Sequence, residues 1–316
     1  MENQWQPSAS INTLRQRANI LKCIRNFFNE RNYLEVETPI MARYGITDVY
    51  LANIKTTFRN KSYNLQTSPE YHMKRLLAAG SGAIFQLARV FRDDELGRWH
   101  NPEFTLLEWY QLGIDHHALM TEMNALLMLV LGCGPMIKKT YQQAFLDACD
   151  IDPMHVDITT LKHVLRRFDL DNVLPELEQD RDQYLFLLMS HVVESFLANE
   201  PTPVAVYNFP ASQAALAQIK QGVAERFEVY YKGVELANGF HELTDVDAQR
   251  ARFKHDVAAR HARALPDSPP DEYLLQAMSY GLPACSGVAL GIDRLLALAL
   301  GTSCIADTMA FDVSKA

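Results

Sequence analysis

Residues 83–113 read AIFQLARVFRDDELGRWHNPEFTLLEWYQLG, a strand, a polar loop and a second strand. With the two-residue period of a strand, Gln86, Ala88, Val90 and Arg92 share one face of the first arm, and Phe85, Leu87 and Phe91 share the other. In the second arm Phe104, Leu106, Glu108 and Tyr110 point one way, with Thr105, Leu107 and Trp109 opposite. A carboxylate at Glu108 inside an otherwise apolar strand is costly unless something cationic meets it. An aromatic, a carboxylate and a phenol on one face, joined to an arginine by a loop holding His100 and Asn101, form a site floor. The bland alternative is a hairpin on a core, its loop charged because loops are wet.

Around this hairpin the rest of the chain reads as helices and strands of one α+β protein. Residues 1–10 form a loose arm, and a helix is expected from Ser10 or Asn12 to Asn32. Leu14, Ala18, Leu21, Ile24 and Phe28 form its apolar stripe, with Arg15, Arg17, Lys22 and Arg25 on the wetter flanks. YLEVETPIM then reads as a short strand, because Pro39 cannot continue a helix. Two strands flank the Arg59–Lys61 turn. Ser68 and Pro69 start the next helix as cap and first position, with Glu70 in its first turn. Asp115 caps a helix of Ala118 to Leu131, Thr140 and Gln143 suggest a capping box, and about 140–200 is mostly helical, LLMSHVVESFLANE being its most regular part. Phe227 to Glu242 is a second hairpin about Lys232–Gly233, with Glu235, Ala237 and Gly239 on one face unless the ANG triplet breaks the register. CSGVALGIDRLLALALG closes the chain as a strand entering a helix near Ile292.

Composition removes several function classes. The 30 Lys and Arg against 38 Asp and Glu give a formal net charge of -8, which argues against a protein-wide electrostatic footprint for RNA. Five scattered Cys without a CxxC fit a reducing cytoplasm. The polar N-terminus lacks the apolar core of an export signal, and no apolar run approaches the ~18 residues of a membrane span.

FRDDELGRWHNPEFTLLEWY closely resembles motif 2 of the class II aminoacyl-tRNA synthetases in the form used by the lysyl enzyme. YLEVETPIM resembles motif 1, and Gly287, Gly291 and Arg294 match motif 3, with Ala289 replacing its middle glycine. The resemblance runs from about residue 11 to the end and is nearest to free-standing lysyl-enzyme relatives that modify elongation factor P. It implies the class II catalytic fold over residues 11–316, an antiparallel sheet of six to seven strands flanked by helices, without the anticodon-binding OB domain. It also implies a homodimer through motif 1.

For the chemistry the resemblance implies ATP and Mg2+, with an aminoacyl-adenylate as intermediate. Arg92 would clamp the α-phosphate and Arg294 the distal phosphates, as the two catalytic groups. His100 would meet the γ-phosphate, Phe104 would stack on adenine, and Asn101 would complete the ATP site. Asp94 stands where motif 2 usually has Glu. Glu235 and, less firmly matched, Glu228 resemble the carboxylates that hold magnesium with ATP. Ser68, Glu70, Glu108, Tyr110, Asn238, Glu242 and Ala289 match the amino-acid pocket, where carboxylates select a diamino acid by charge. The implied reaction activates (R)-beta-lysine, and alpha-lysine less well, and transfers it to a lysine of elongation factor P. A lysine aminomutase would supply the substrate. Charging of tRNA and a non-catalytic regulator built on the same fold are the alternatives.

Overall fold

A computed structural model describes residues 5–93 and 95–316, so Asp94, the departure in motif 2, lies outside the described residues. Helix α1 (Ile11–Asn29) starts where Ser10 accepts the Thr13 N–H at 3.0 Å. It stops short of Asn32 because that residue turns left-handed, with φ 59°, and the Tyr33 N–H returns to the Phe28 carbonyl. Arg17, expected on a wet flank, instead points inward. Its Nη1 lies 2.5 Å from Asp293 Oδ1 and its Nη2 donates to Thr105 Oγ1 at 3.0 Å.

The segment expected as one strand breaks about Pro39 into β1 (Leu34–Glu35) and β2 (Met41–Ala42). β2 joins a small sheet with β3 (Lys55–Phe58) and β4 (Lys61–Leu65), whose connecting turn places Arg59 and Asn60 at φ 49° and 62°. Two consecutive left-handed residues give the twist that a tight hairpin needs. Next come α2 (Glu70–Ala78), the central hairpin β5 (Ile84–Phe91) and β6 (Glu103–Leu112), and α3 (His116–Leu131), capped by Asp115 and closed by left-handed Gly132.

The helical region comprises α4 (Tyr141–Cys149), α5 (Ile158–Arg167), α6 (Arg181–Leu188) and α7 (Glu194–Leu197), after the short strand β7 (Ile137–Thr140). The part that reads as most regular is not: between α6 and α7 the chain takes a π-turn over Met189–Val193. An extra residue in the turn rotates α7 relative to α6, and such turns cluster at functional sites. The remaining elements are β8 (Val204–Pro210), β9 (Ile219–Lys220), β10 (Val223–Tyr231), β11 (Val234–His241), α8 (Val246–Ala262), α9 (Glu272–Gly281), β12 (Cys285–Gly291) and α10 (Ile292–Leu300).

The large sheet has the order β1-β5-β6-β12-β11-β10-β8-β7, with β9 on the end of β10. Its six central strands are antiparallel, and β1 and β7 add parallel edges. Phe28, Phe85 and Trp109 anchor the core between one face and helices α1, α3 and α10. Tyr141, Phe145 and Leu161 anchor a second core, between the helical region and β8 and β10. The other face of the sheet carries a row of paired residues, Gln86, Glu108, Ala289, Asn238 and Glu228, one from each of five adjacent strands.

The second hairpin corrects one expectation. A bulge at Leu236 shifts the pairing from Val229↔Ala237 to Tyr230↔Glu235. Glu235 therefore shares its face with Asn238 and Phe240, while Ala237 and Gly239 turn to the opposite core, where a Cβ on Gly239 would strike Phe227 and Val288.

Asp293 ties three elements together, since its second oxygen accepts the Thr105 N–H at 2.7 Å. Replacing Asp293 with Asn leaves the largely buried Arg17 without a counter-charge, a loss on the order of 3 kcal/mol. Urea unfolding of Asp293→Asn should show that loss, and an unchanged midpoint would contradict the bridging role.

Candidate active site

A cleft of about 1000 Å³ lies over four of the paired residues, Glu108, Ala289, Asn238 and Glu228. At one end of the cleft Glu108 is buried, and Ser68 Oγ donates to Glu108 Oε1 at 2.5 Å. Ser68 also accepts the Glu70 N–H at 3.0 Å, so one hydroxyl both opens α2 and fixes the Glu108 carboxylate. The Tyr110 hydroxyl donates to Glu108 Oε2 at 3.3 Å. Glu70, on the first turn of α2, and Glu242, just past β11, are joined by the buried Lys74. Its Nζ lies 2.6 Å from Glu70 Oε1 and 2.6 Å from Glu242 Oε2. Gly287 is required here by close approach, because a Cβ would run into the Tyr110 ring and come within 2.8 Å of Glu242 Oε1.

Burial sets the protonation of this end. It pushes Glu108 up to about 8, helped by the charge of Glu70 and opposed by the Ser68 and Tyr110 hydrogen bonds. Burial also pushes Glu242 up to about 8, with Lys74 pulling the other way and Glu70 adding repulsion. Lys74 stays charged, since Glu242 and Glu70 outweigh the burial that acts against it.

Ala289 sits between Glu108 and Asn238 on neighbouring strands. The Asn238 side-chain oxygen accepts from Arg226 Nε at 3.1 Å, and the same guanidinium bonds Glu228 and the Gln213 carbonyl. The Tyr230 hydroxyl bonds the other Glu228 oxygen. Glu235 lies beside this pair, raised from the ordinary carboxylate range by burial and by Glu228. Glu194, delivered by the π-turn, joins them. Burial and then Glu235 and Glu228 push it up to about 8. Glu228 and Glu235, which both line the cleft, offer the oxygen donors that a hard divalent cation such as magnesium takes together with phosphate oxygens.

The opposite end is cationic. The Arg92 guanidinium lies 5.1 Å from the centre of the Phe104 ring, its Nη1 is 3.3 Å from Glu95 Oε1, and its Nε is buried without a partner among the described residues. Arg294 is fixed by carbonyls, Nε to Trp99 at 3.1 Å and Nη1 to Glu235 at 2.9 Å, and its Nη2 lies 2.7 Å from His100 Nε2. A guanidinium only donates, so His100 Nε2 carries no proton. Burial and then Arg294 also hold the His100 pKa below its ordinary value. Asn101 lines the cleft, but both ends of its amide are engaged by backbone, Nδ2 by the Glu103 carbonyl and Oδ1 by the Val313 N–H.

The sequence matches the family model of the tRNA synthetases class II (D, K and N) over residues 4–315. The chain belongs to that family. It is 52% identical over 99% of both chains to the elongation factor P--(R)-beta-lysine ligase of Vibrio cholerae serotype O1. It is 53% identical to the protein of the same name from Salmonella typhi, over 99% of this chain and 98% of that one.

Thus the cleft gathers Ser68, Glu70, Arg92, His100, Phe104, Glu108, Tyr110, Glu228, Glu235, Asn238, Glu242, Ala289 and Arg294, drawn from segments far apart in sequence. Sequence reasoning missed Lys74, Arg226, Glu194 and Asp293. The signal for Arg226 was present, since it alternates with Glu228 on one strand face.

Between the ordinary carboxylate value of 4.5 and about 8, the folded chain holds protons at Glu108 and Glu242 that the unfolded chain has lost. Stability of the free protein therefore falls as pH climbs through that window and levels off above it. An ammonium ion bound among these groups favours their charged forms. Calorimetric titration with lysine at neutral pH, in buffers of different ionisation heat, should show proton release, up to about two per lysine bound, and tighter binding as pH rises toward about 8. Proton uptake on binding would contradict this.

Proposed function

We propose that this chain is an ATP-dependent ligase that activates (R)-beta-lysine as its adenylate and transfers the acyl group to the ε-amino group of a lysine in elongation factor P. The observation that carries the reading is the cleft itself. Two buried carboxylates, Glu108 and Glu242, and the half-buried Glu70 gather at one end, where Lys74 bridges Glu70 and Glu242, and Arg92 and Arg294 hold the other. Identity of 52% across 99% of the chain to a relative named for that reaction supports the same reading.

In the first step an oxygen of the substrate carboxylate attacks the α-phosphorus of ATP and pyrophosphate leaves. Negative charge grows around phosphorus, so fixed cations do more there than a general base would. Arg92 would clamp the α-phosphate and Arg294, with neutral His100 beside it, the distal phosphates. Their planar forks suit phosphate oxygens. Phe104 offers an aromatic face to adenine. Glu235 and Glu228 would hold magnesium, with Glu194 close by, and that ion would neutralise phosphate charge when bound. Ser68, Tyr110 and Asn238 orient the amino-acid pocket. In the second step the protein's ε-amino group attacks the acyl carbonyl, AMP leaves and the amine's proton goes to solvent.

Supply of the beta isomer by a lysine aminomutase belongs to this proposal. So does pairing of two copies along α1, β1 and β2, where Leu34, Ile40 and Met41 are exposed. The direct test incubates the protein with ATP, magnesium and each lysine isomer, with unmodified elongation factor P or bulk tRNA as acceptor. Mass gain on the protein acceptor is expected, and acylated RNA without protein modification would overturn the proposal. Arg92→Ala and Arg294→Ala should each lower pyrophosphate exchange by at least about two orders of magnitude in a folded protein. Near-normal exchange would remove the phosphate roles.

A further inference from the structure

On the other side of the sheet from the cleft, a ring nitrogen of His116, a carboxylate oxygen of Glu225 and a ring nitrogen of His241 lie within 4.8 Å of one another. None of the three lines the cleft. They come from three elements: His116 opens α3, Glu225 is on β10 and His241 ends β11. His116 and Glu225 are buried.

We propose that His116, Glu225 and His241 form a binding site for one zinc-class divalent cation. Two imidazoles and a carboxylate are a donor set that zinc takes with a fourth, open position, whereas magnesium and calcium prefer oxygen alone. His116 has the arrangement of a ligand held from outside. Its Nε2 lies 3.2 Å from the Asn208 side-chain oxygen, and its Nδ1 is buried with no partner among the described residues. A hydrogen bond at one ring nitrogen that fixes the tautomer and frees the other is how metal-bound histidines are usually oriented. Burial, and then the neighbouring His117, hold the His116 pKa down to about 4, so its lone pair is available at neutral pH.

His241 Nδ1 and Glu225 Oε2 are joined by one hydrogen bond, and so by one proton. Two ligand atoms each about 2.0–2.2 Å from zinc stand roughly 3 Å apart or more, so a small opening admits the ion in place of that proton, which leaves to solvent. Lys220 is the competing cation, 3.9 Å from Glu225 Oε1, but its side chain is largely exposed and free to swing away. The bound ion would tie the start of α3 to the hairpin whose end carries Glu242.

The test titrates zinc alone into the full chain, with calorimetry and thermal unfolding as readouts. One equivalent should bind and raise the unfolding temperature, and His116→Gln and Glu225→Gln should each weaken that binding at least tenfold. Cobalt added in place of zinc should give the intense visible bands of a low-coordinate site in the wild type and lose them in either variant. If one variant fails to fold, the other and the cobalt spectrum still decide. Absence of zinc binding, or binding unchanged in both variants, would overturn the site.

Discussion

Lys74 is the point on which the cleft depends. It is buried, and it bridges Glu70 and Glu242, which come from α2 and from the end of β11. Two carboxylates pressed together in a dry pocket would repel, and burial alone already pushes Glu242 upward. With Glu108 the pocket holds three carboxylates against one lysine, so full ionisation leaves it short of two positive charges. A diamino acid brings two ammonium groups. An amino acid with an apolar side chain brings one, and leaves a carboxylate either protonated or unpaired. On the proposed function, selectivity for a dication would follow from the pocket's own charge.

The sheet turns that charge into geometry. Because paired residues on adjacent strands face the same way, Glu108, Ala289, Asn238 and Glu228 form a line across four strands. The bulge at Leu236 brings Glu235 onto the same face, which an unbroken strand would have denied it. Behind the phosphate end, the Arg17–Asp293 pair fixes the start of α10 next to Arg294. Asp293 itself lines the cleft, so that bridge sets where Arg294 stands.

The period-two pattern made the central hairpin legible, and the observed register Gln86↔Glu108 and Val90↔Phe104 matches the faces read from the sequence. Caps at Asp115 and Thr140 were legible for the same reason, since a short polar side chain before an apolar run has a local cause. The failures were non-local or irregular. Lys74 reads as one more charge on a helix until Glu242, distant in sequence, folds against it. Arg17 reads as solvated for the same reason. The bulge at Leu236 and the π-turn at Met189–Val193 each insert one residue into a regular pattern, and no periodicity reports an insertion that tertiary packing selects. Resemblance supplied most of the candidate site; the residues that hold that site in place came only from the packing.

The most direct test of charge matching is a calorimetric comparison of lysine with norleucine, which has the same length without the second ammonium, in wild type and Glu242→Gln. The substitution keeps size and hydrogen-bonding capacity and removes one charge. The wild type should prefer lysine, and Glu242→Gln should reduce that preference by roughly one to a few kcal/mol. An unchanged preference would contradict the account and move recognition of the side-chain ammonium to Glu70 or Glu108.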